Sequence, residues 1–264
     1  MDFIDLRGPK LVSLDFSNLS VVNIRNLFLI IASSCRNLEH LKAQNLHPQS
    51  SNNVFPIEIM QEGLKKLKTL CLGLPVILKS KKSLKSNGFP TLEIFTHSSK
   101  FDSYIHDDCF QRLLMKSSNL KILDVRGCFF LTVETLCDLP SSNLERLYVS
   151  HTKLYNSLNF INVLRKWGHS LEVLDLSKLR GSIINDHFTS IISSCNLQNL
   201  ESLYIINTAV TISTVRLIIQ NCPKLNFLQL ESCRGLHRGC KRAYQGKIAL
   251  KELLSKLADN MDTT

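Results

Sequence analysis

The chain has 264 residues, 44% hydrophobic and 20% charged, which supports a buried core and excludes an intrinsically disordered segment. A formal charge of +10 favours acidic partners, and one Trp with 7% aromatics excludes a core packed around large rings. The longest apolar run, Leu27 to Ala32, is too short to cross a bilayer, and nine cysteines without C-x-x-C spacing predict reduced thiols in the cytoplasm, the nucleus or both.

Along the chain one pattern recurs. L-x-x-L-x-L begins at Leu11, Leu38, Leu67, Leu92, Leu120, Leu144, Leu171, Leu200 and Leu225, at intervals of 24 to 29 residues. Such spacing lies in the leucine-rich-repeat range of about 20–29 residues. Nine units give 27 positions expected to be apolar; 26 are, and the exception is His97. Alternation along a strand turns the fourth and sixth residue of each unit inward and the third, fifth and seventh outward. Parallel strands need a long crossover, so each interval should supply a helix or its substitute. The expectation is an α/β leucine-rich-repeat solenoid, a horseshoe of about nine repeats with parallel strands on the concave face and helices on the convex face.

In chain order, Ile4-Asp5-Leu6-Arg7-Gly8 echoes Leu123-Asp124-Val125-Arg126-Gly127 and suggests a truncated first repeat. His47 to Pro56 is polar and predicts a loop leading to a short helix over Ile57 to Lys66. Val76 to Pro90 contains the lysine-rich run Lys79 to Lys85; it predicts an irregular fourth repeat with more local mobility than elsewhere. Asp107-Asp108 reads as acidic charge at a helix start before Phe110 to Leu114, where the helix dipole favours it. Apolar residues at helical spacing predict further helices around Asp186 to Ile192 and Thr214 to Ile219. Residues 1–236 therefore form the repeat domain. Residues 237–264 form a basic capping segment whose helix would cover the last layer with Ile248, Ala249, Leu250, Leu253, Leu254 and Leu257. Arg238, Lys241 and Arg242 also suit nuclear targeting or contact with an acidic partner.

The cysteines follow the repeat. Cys35 and Cys222 lie three residues before a repeat leucine, and Cys128 and Cys233 lie eight after one, where Thr152 and Thr208 hold the equivalent place. Spacing tied to the repeat implies structural use, so no metal site and no cofactor are expected. G-x-S-x-G, H-E-x-x-H, the P-loop and G-x-G-x-x-G are all absent, and no enzymatic activity is expected. Specific nucleic-acid binding is not expected either, because the basic residues do not form a stripe interleaved with aromatics.

Cys222-Pro223-Lys224-Leu225 through Cys233 follows C-P-x-L-x-x-L-x-L-x-x-C; Cys35-Arg36-Asn37-Leu38 shares the opening and Leu120 to Cys128 the close. Ile184 to Ile191 is similar to the helix entry I-T-D-x-x-L-x-x-L. On these residues the chain, from about 11 to 236, resembles the cysteine-containing repeat region of F-box/leucine-rich-repeat proteins. The resemblance implies the substrate receptor of an SCF-type ubiquitin ligase, in which repeats bind the target and a separate F-box docks on Skp1. Phe55-Pro56-Ile57-Glu58-Ile59-Met60 superficially matches the F-box opening L-P-x-E-I-L, but the repeat at Leu67 leaves no room for the module. Skp1 and cullin are partners only of a longer form that carries an F-box. A binding or inhibitory scaffold unconnected to ubiquitination remains the alternative.

The outward strand positions supply the candidate site. Aromatic, arginine and acidic residues concentrate between the repeats at Leu120 and Leu225, and Tyr, Trp and Arg dominate binding hot spots. Arg126, Arg146, Tyr148, Asp175, Tyr204 and Phe227 are therefore expected to line a target protein's seat on the concave face, although rings there also serve to cover neighbouring strands.

Overall fold

The computed structural model describes residues 2–73, 75–78, 86–97, 103–154, 159–178, 189–190 and 192–259. The lysine run 79–85 and the helix entry at 184–188 lie outside the described residues. The chain divides into two compact units, residues 1–142 and 143–264.

In the first unit, β1 (Ser13–Asp15), β2 (His40–Ala43), β3 (Thr69–Leu72), β4 (Ile94–His97) and β5 (Ile122–Asp124) form a parallel ladder in chain order. In the second, β6 (Arg146–Tyr148), β7 (Val173–Asp175), β8 (Ser202–Tyr204) and β9 (Phe227–Gln229) do the same. Each strand begins two residues after its repeat's first leucine, as the alternation requires. The inward positions from Phe16 to Leu230 are all buried, His97 included. Only Leu11 and Leu14, in the first repeat, are half-exposed.

The helices lie in the intervals: α1 (Asp2–Arg7), α2 (Ile24–Ser34), α3 (Ile57–Gly63), α4 (Asp107–Leu114) and α5 (Val133–Cys137) in the first unit. The second unit has α6 (Phe160–Trp167), α7 (Ile212–Asn221) and α8 (Gly246–Asp259). Asn23 caps α2 by accepting the Asn26 N–H at 2.9 Å, and α2 buries Ile24, Phe28, Ile31 and Ala32. Phe28 meets Phe16 and Phe55 edge-on, at centroid distances of 6.0 and 4.8 Å. Asp107 and Asp108 open α4, with Asp108 accepting the Cys109 N–H at 2.8 Å and Asp107 that of Thr132 at 2.9 Å.

Several expectations need correction. Residues 2–7 are helical and residues 8–10 form a 3₁₀ turn, so the echo of Leu123–Gly127 at Ile4–Gly8 is not a strand. One matched apolar pair carries little information without a following inward residue. The expected loop at 47–56 holds two short strands: His47–Pro48 pairs with Ser20–Val21, and Val54–Phe55 with Ile77–Leu78. The cap also contains a strand absent from the sequence reading, β10 (Ala243–Gln245), antiparallel to β9. In α8, Leu250, Leu253 and Leu257 are buried as expected, whereas Ile248 is 77% exposed.

The turn after each strand is the most regular feature of the backbone. The eighth residue of the repeat is left-handed in every described case: Asn18, Asn45, Gly127, His151, Lys178, Asn207 and Ser232, with φ from 51° to 78°. That bend lets the turn's N–H groups reach the next repeat, as Asn18 reaches the Gln44 carbonyl and Lys178 the Ile206 carbonyl. At Leu46, Cys128, Thr152, Thr208 and Cys233 the ninth residue then fills a buried slot. Cys128 and Cys233 donate S–H to the carbonyls of His97 and Ile205, at 3.3 and 3.1 Å. Thr152 and Thr208 donate to Val149 and Ile205, at 2.7 and 2.8 Å. Cysteine and threonine are interchangeable here because each offers a small body and one donor.

Candidate protein-binding face

The register of the second unit sorts its outward side chains into two rows. Arg146, Val173, Ser202 and Phe227 are directly opposite one another across β6 to β9, and so are Tyr148, Asp175, Tyr204 and Gln229. Tyr204 and Phe227 pack diagonally, ring centroids 5.1 Å apart and tilted by 45°. Both are half-exposed, as is Tyr148, and Arg146 is exposed. The rings thus cover their neighbours and still present an edge outward, an arrangement suited to a rigid apolar contact with a polar rim.

Asp175 stands between Tyr148 and Tyr204 in the register, but it is only 7% exposed. Its carboxylate accepts the Ser177 N–H at 3.0 Å, and the Ser177 hydroxyl accepts the Ile206 N–H at 3.1 Å. Asp15 and Ser17 repeat this relay in the first unit, at 3.0 Å and then 3.1 Å to the Gln44 N–H. Those hydrogen bonds hold Asp15 below its ordinary carboxylate pKa. Asp175 therefore shapes the turn beneath the rings. The shared D-x-S string at Asp15 and Asp175 is the sequence signal for that role.

Arg126 belongs to the first unit, after β5. It is exposed, yet its guanidinium grips Asp124 in a fork, Nε to Oδ1 at 2.9 Å and Nη2 to Oδ2 at 2.6 Å. Asp124 is 5% exposed, so this arginine serves first to cover a carboxylate of its own repeat. Apart from Ile94 and Ile122, the other described outward residues of the first unit are small or polar, and none is Tyr or Phe. Thr69 and Cys71 are buried, Thr69 bonds His40 at 3.0 Å, and burial raises the Cys71 thiol pKa. Outward does not mean exposed for such residues: strands about 4.8 Å apart let larger neighbours shade a short side chain.

Beside the rows, Lys68 pairs with Glu39 at 2.7 Å and Lys121 with Glu93 at 3.2 Å. Before the strands, Asn37, Asn119 and Asn199 donate to the carbonyls of Pro9, Pro90 and His169. These contacts stitch each repeat to the one before it. All nine cysteines are free thiols, and burial raises the Cys222 pKa to about 12. Among the described residues, no cluster of three or more His, Cys, Asp or Glu side chains could hold a metal ion, and no helix is long and apolar enough to cross a membrane.

Strand ladder, interval helices and repeat-locked turns together define a leucine-rich-repeat fold. A solved structure of an internalin from Listeria monocytogenes is similar to it: TM-score 0.52, 14% identity, with the match covering 87% of this chain and 63% of that one. The likeness is one of fold. No family model matches the chain, and no curated protein does.

Proposed function

We propose that the chain is a non-enzymatic protein-binding module whose target seats on the strand face of residues 143–264, against Arg146, Tyr148, Tyr204 and Phe227. Asp175 supports the turn that follows β7, while the Arg126 guanidinium, in the other unit, is already engaged by Asp124. The observation that carries this reading is the packed, half-exposed pair Tyr204 and Phe227, where a plain scaffold would carry short polar residues. Capture from cells with the full chain tests it. The captured set should be lost with Tyr148→Ala/Tyr204→Ala and kept with Lys42→Ala/Ile94→Ala. A set unchanged by the tyrosine pair overturns the site.

The finer role is substrate recognition for an SCF-type ubiquitin ligase, with Skp1 and a cullin reached through an F-box in a longer form. It is supported by the cysteine-containing repeat spacing of Cys222 to Cys233. Cys233-Arg234-Gly235-Leu236-His237-Arg238-Gly239-Cys240-Lys241-Arg242, followed by a helix, further resembles the end of the sixth member in the F-box/leucine-rich-repeat naming series. A longer form that carries an F-box should co-purify with Skp1 and cullin. Failure to do so removes the ligase role and leaves the binding face untouched.

A further inference from the structure

The C-terminal cap ends the second unit's sheet with an edge strand, and that edge is cationic. β10 pairs with β9 so that Leu228 faces Tyr244. The Arg242 carbonyl accepts the Leu230 N–H at 3.1 Å, and the Gly246 N–H donates to the Asn226 carbonyl at 2.7 Å. In an antiparallel ladder, alternate residues direct their backbone groups to opposite sides. Arg242, Tyr244 and Gly246 face β9, so the N–H and C=O groups of Ala243 and Gln245 point to the open edge. Both residues are exposed, while Tyr244 between them is buried, with the Arg242 guanidinium 4.9 Å from its ring centre.

From Ser232 to Lys251 the chain has six cations and no Asp or Glu: Arg234, Arg238, Lys241, Arg242, Lys247 and Lys251. None of the four ion pairs among the described residues involves any of them. Lys247 leans back to donate to the Pro223 carbonyl; Arg234, Arg238 and Arg242 are exposed around the start of the strand. An unpaired edge is a template for another strand, and basic residues on it oppose pairing with a second copy of the same chain. The same charge favours an anionic partner.

We propose that the β10 edge is a docking site for an extended acidic segment of another protein, which adds as a further strand through Ala243 and Gln245 and is held by Arg238, Lys241 and Arg242. Main-chain bonds select an extended peptide, and the cations select its charge. With only two residues offering outward groups, charge supplies much of the affinity, so binding weakens steeply with salt.

The test is fluorescence anisotropy of the full chain with a labelled heptapeptide of alternating glutamate and valine. Three further probes accompany it: the lysine/valine peptide, a glutamate/valine peptide N-methylated at alternate residues, and an oligothymidylate. The glutamate/valine peptide should bind, and the lysine/valine peptide should not. Arg238→Glu/Lys241→Glu and Ala243→Pro should each weaken binding at least tenfold, the proline because it removes an outward donor without touching the β9 pairing. N-methylation, which keeps the charge and removes main-chain donors, should weaken it as much and requires no altered protein. Equal binding of the N-methylated peptide, or of the oligothymidylate irrespective of Ala243→Pro, overturns the proposal and leaves diffuse charge. Tyr148→Ala/Tyr204→Ala should bind the peptide unchanged, which separates this edge from the strand face.

Discussion

The two units build their ladders on one backbone plan and finish them differently. In residues 1–142 the outward rows run through Ser13, His40, Thr69, Ile94 and Ile122, and through Asp15, Lys42, Cys71, Thr96 and Asp124. In residues 143–264 the equivalent rows run through Arg146, Val173, Ser202 and Phe227, and through Tyr148, Asp175, Tyr204 and Gln229. The left-handed turn position differs as well. The first unit fills its described examples with Asn18, Asn45 and Gly127, residue types that tolerate positive φ; the second uses Lys178 and Ser232 beside the more tolerant Asn207 and His151. Two kinds of departure from the undemanding choice thus coincide in one unit. Half-covered rings stand on β6, β8 and β9, and the less tolerant turn residues Lys178 and Ser232 follow β7 and β9. Backbone strain of this sort concentrates at functional sites. The coincidence supports assigning target binding to the second unit and support to the first.

The largest expected effect separates the units by acid. His97 occupies an inward core position in the first unit, 1% exposed, and desolvation lowers its pKa to about 4. Above the unfolded value of about 6.5, folded and unfolded chains both hold it neutral and stability is unaffected. As pH falls from about 6.5 to 4, the unfolded chain binds a proton that the folded chain refuses, and the first unit loses about 3 kcal/mol across that window. Hydrogen exchange at pH 7 and pH 4.5 should show residues 1–142 opening ahead of 143–264 as the medium is acidified. His97→Leu, which restores the repeat's apolar pattern, should remove the difference. An acid response unchanged by His97→Leu breaks this account.

Next in size is the contrast between the faces. Against a captured target, Tyr204→Ala or Phe227→Ala should each cost about 2 kcal/mol, roughly thirtyfold in Kd, because each removes half of a packed pair. Lys42→Ala and Arg126→Ala should change Kd less than about threefold, the first as an exposed lysine opposite Asp15, the second because its guanidinium is already engaged by Asp124. Titration of the purified target checks both. Equal losses from the two units would remove the distinction drawn between them.

The ladder itself was legible in the sequence because it is periodic: twenty-six apolar positions at fixed spacing leave one register for nine strands, and all nine formed there. The slot shared by Cys128, Thr152, Thr208 and Cys233 was legible for the same reason. What repeats only once was not. β10 is three residues long with only Tyr244 buried, so it offers no alternation to detect. The candidate face was half legible. Strand parity located Tyr148, Tyr204 and Phe227, but parity does not reveal that Asp175 is drawn down onto Ser177, or that Asp124 already occupies Arg126.

The smallest effect concerns the turns. Lys178 holds φ at 58°, a conformation that costs an L-residue with a Cβ about 1 kcal/mol, and its N–H must still reach the Ile206 carbonyl at 2.7 Å. Glycine adopts that φ freely, though it also raises the entropy of the unfolded chain, so Lys178→Gly should stabilise the second unit by somewhat less, about 0.5 kcal/mol. His151→Gly, at φ 56°, should behave alike. In the first unit the sign reverses: Gly127→Ala, at φ 78°, should destabilise by about 1 kcal/mol. Chemical denaturation followed separately in each unit measures both. If the strain serves binding, the glycine variants will be more stable and yet bind the target more weakly, since a looser turn no longer fixes the strand that precedes it. If they gain stability and keep full affinity, the strain is incidental, and the rings alone distinguish the second unit from the first.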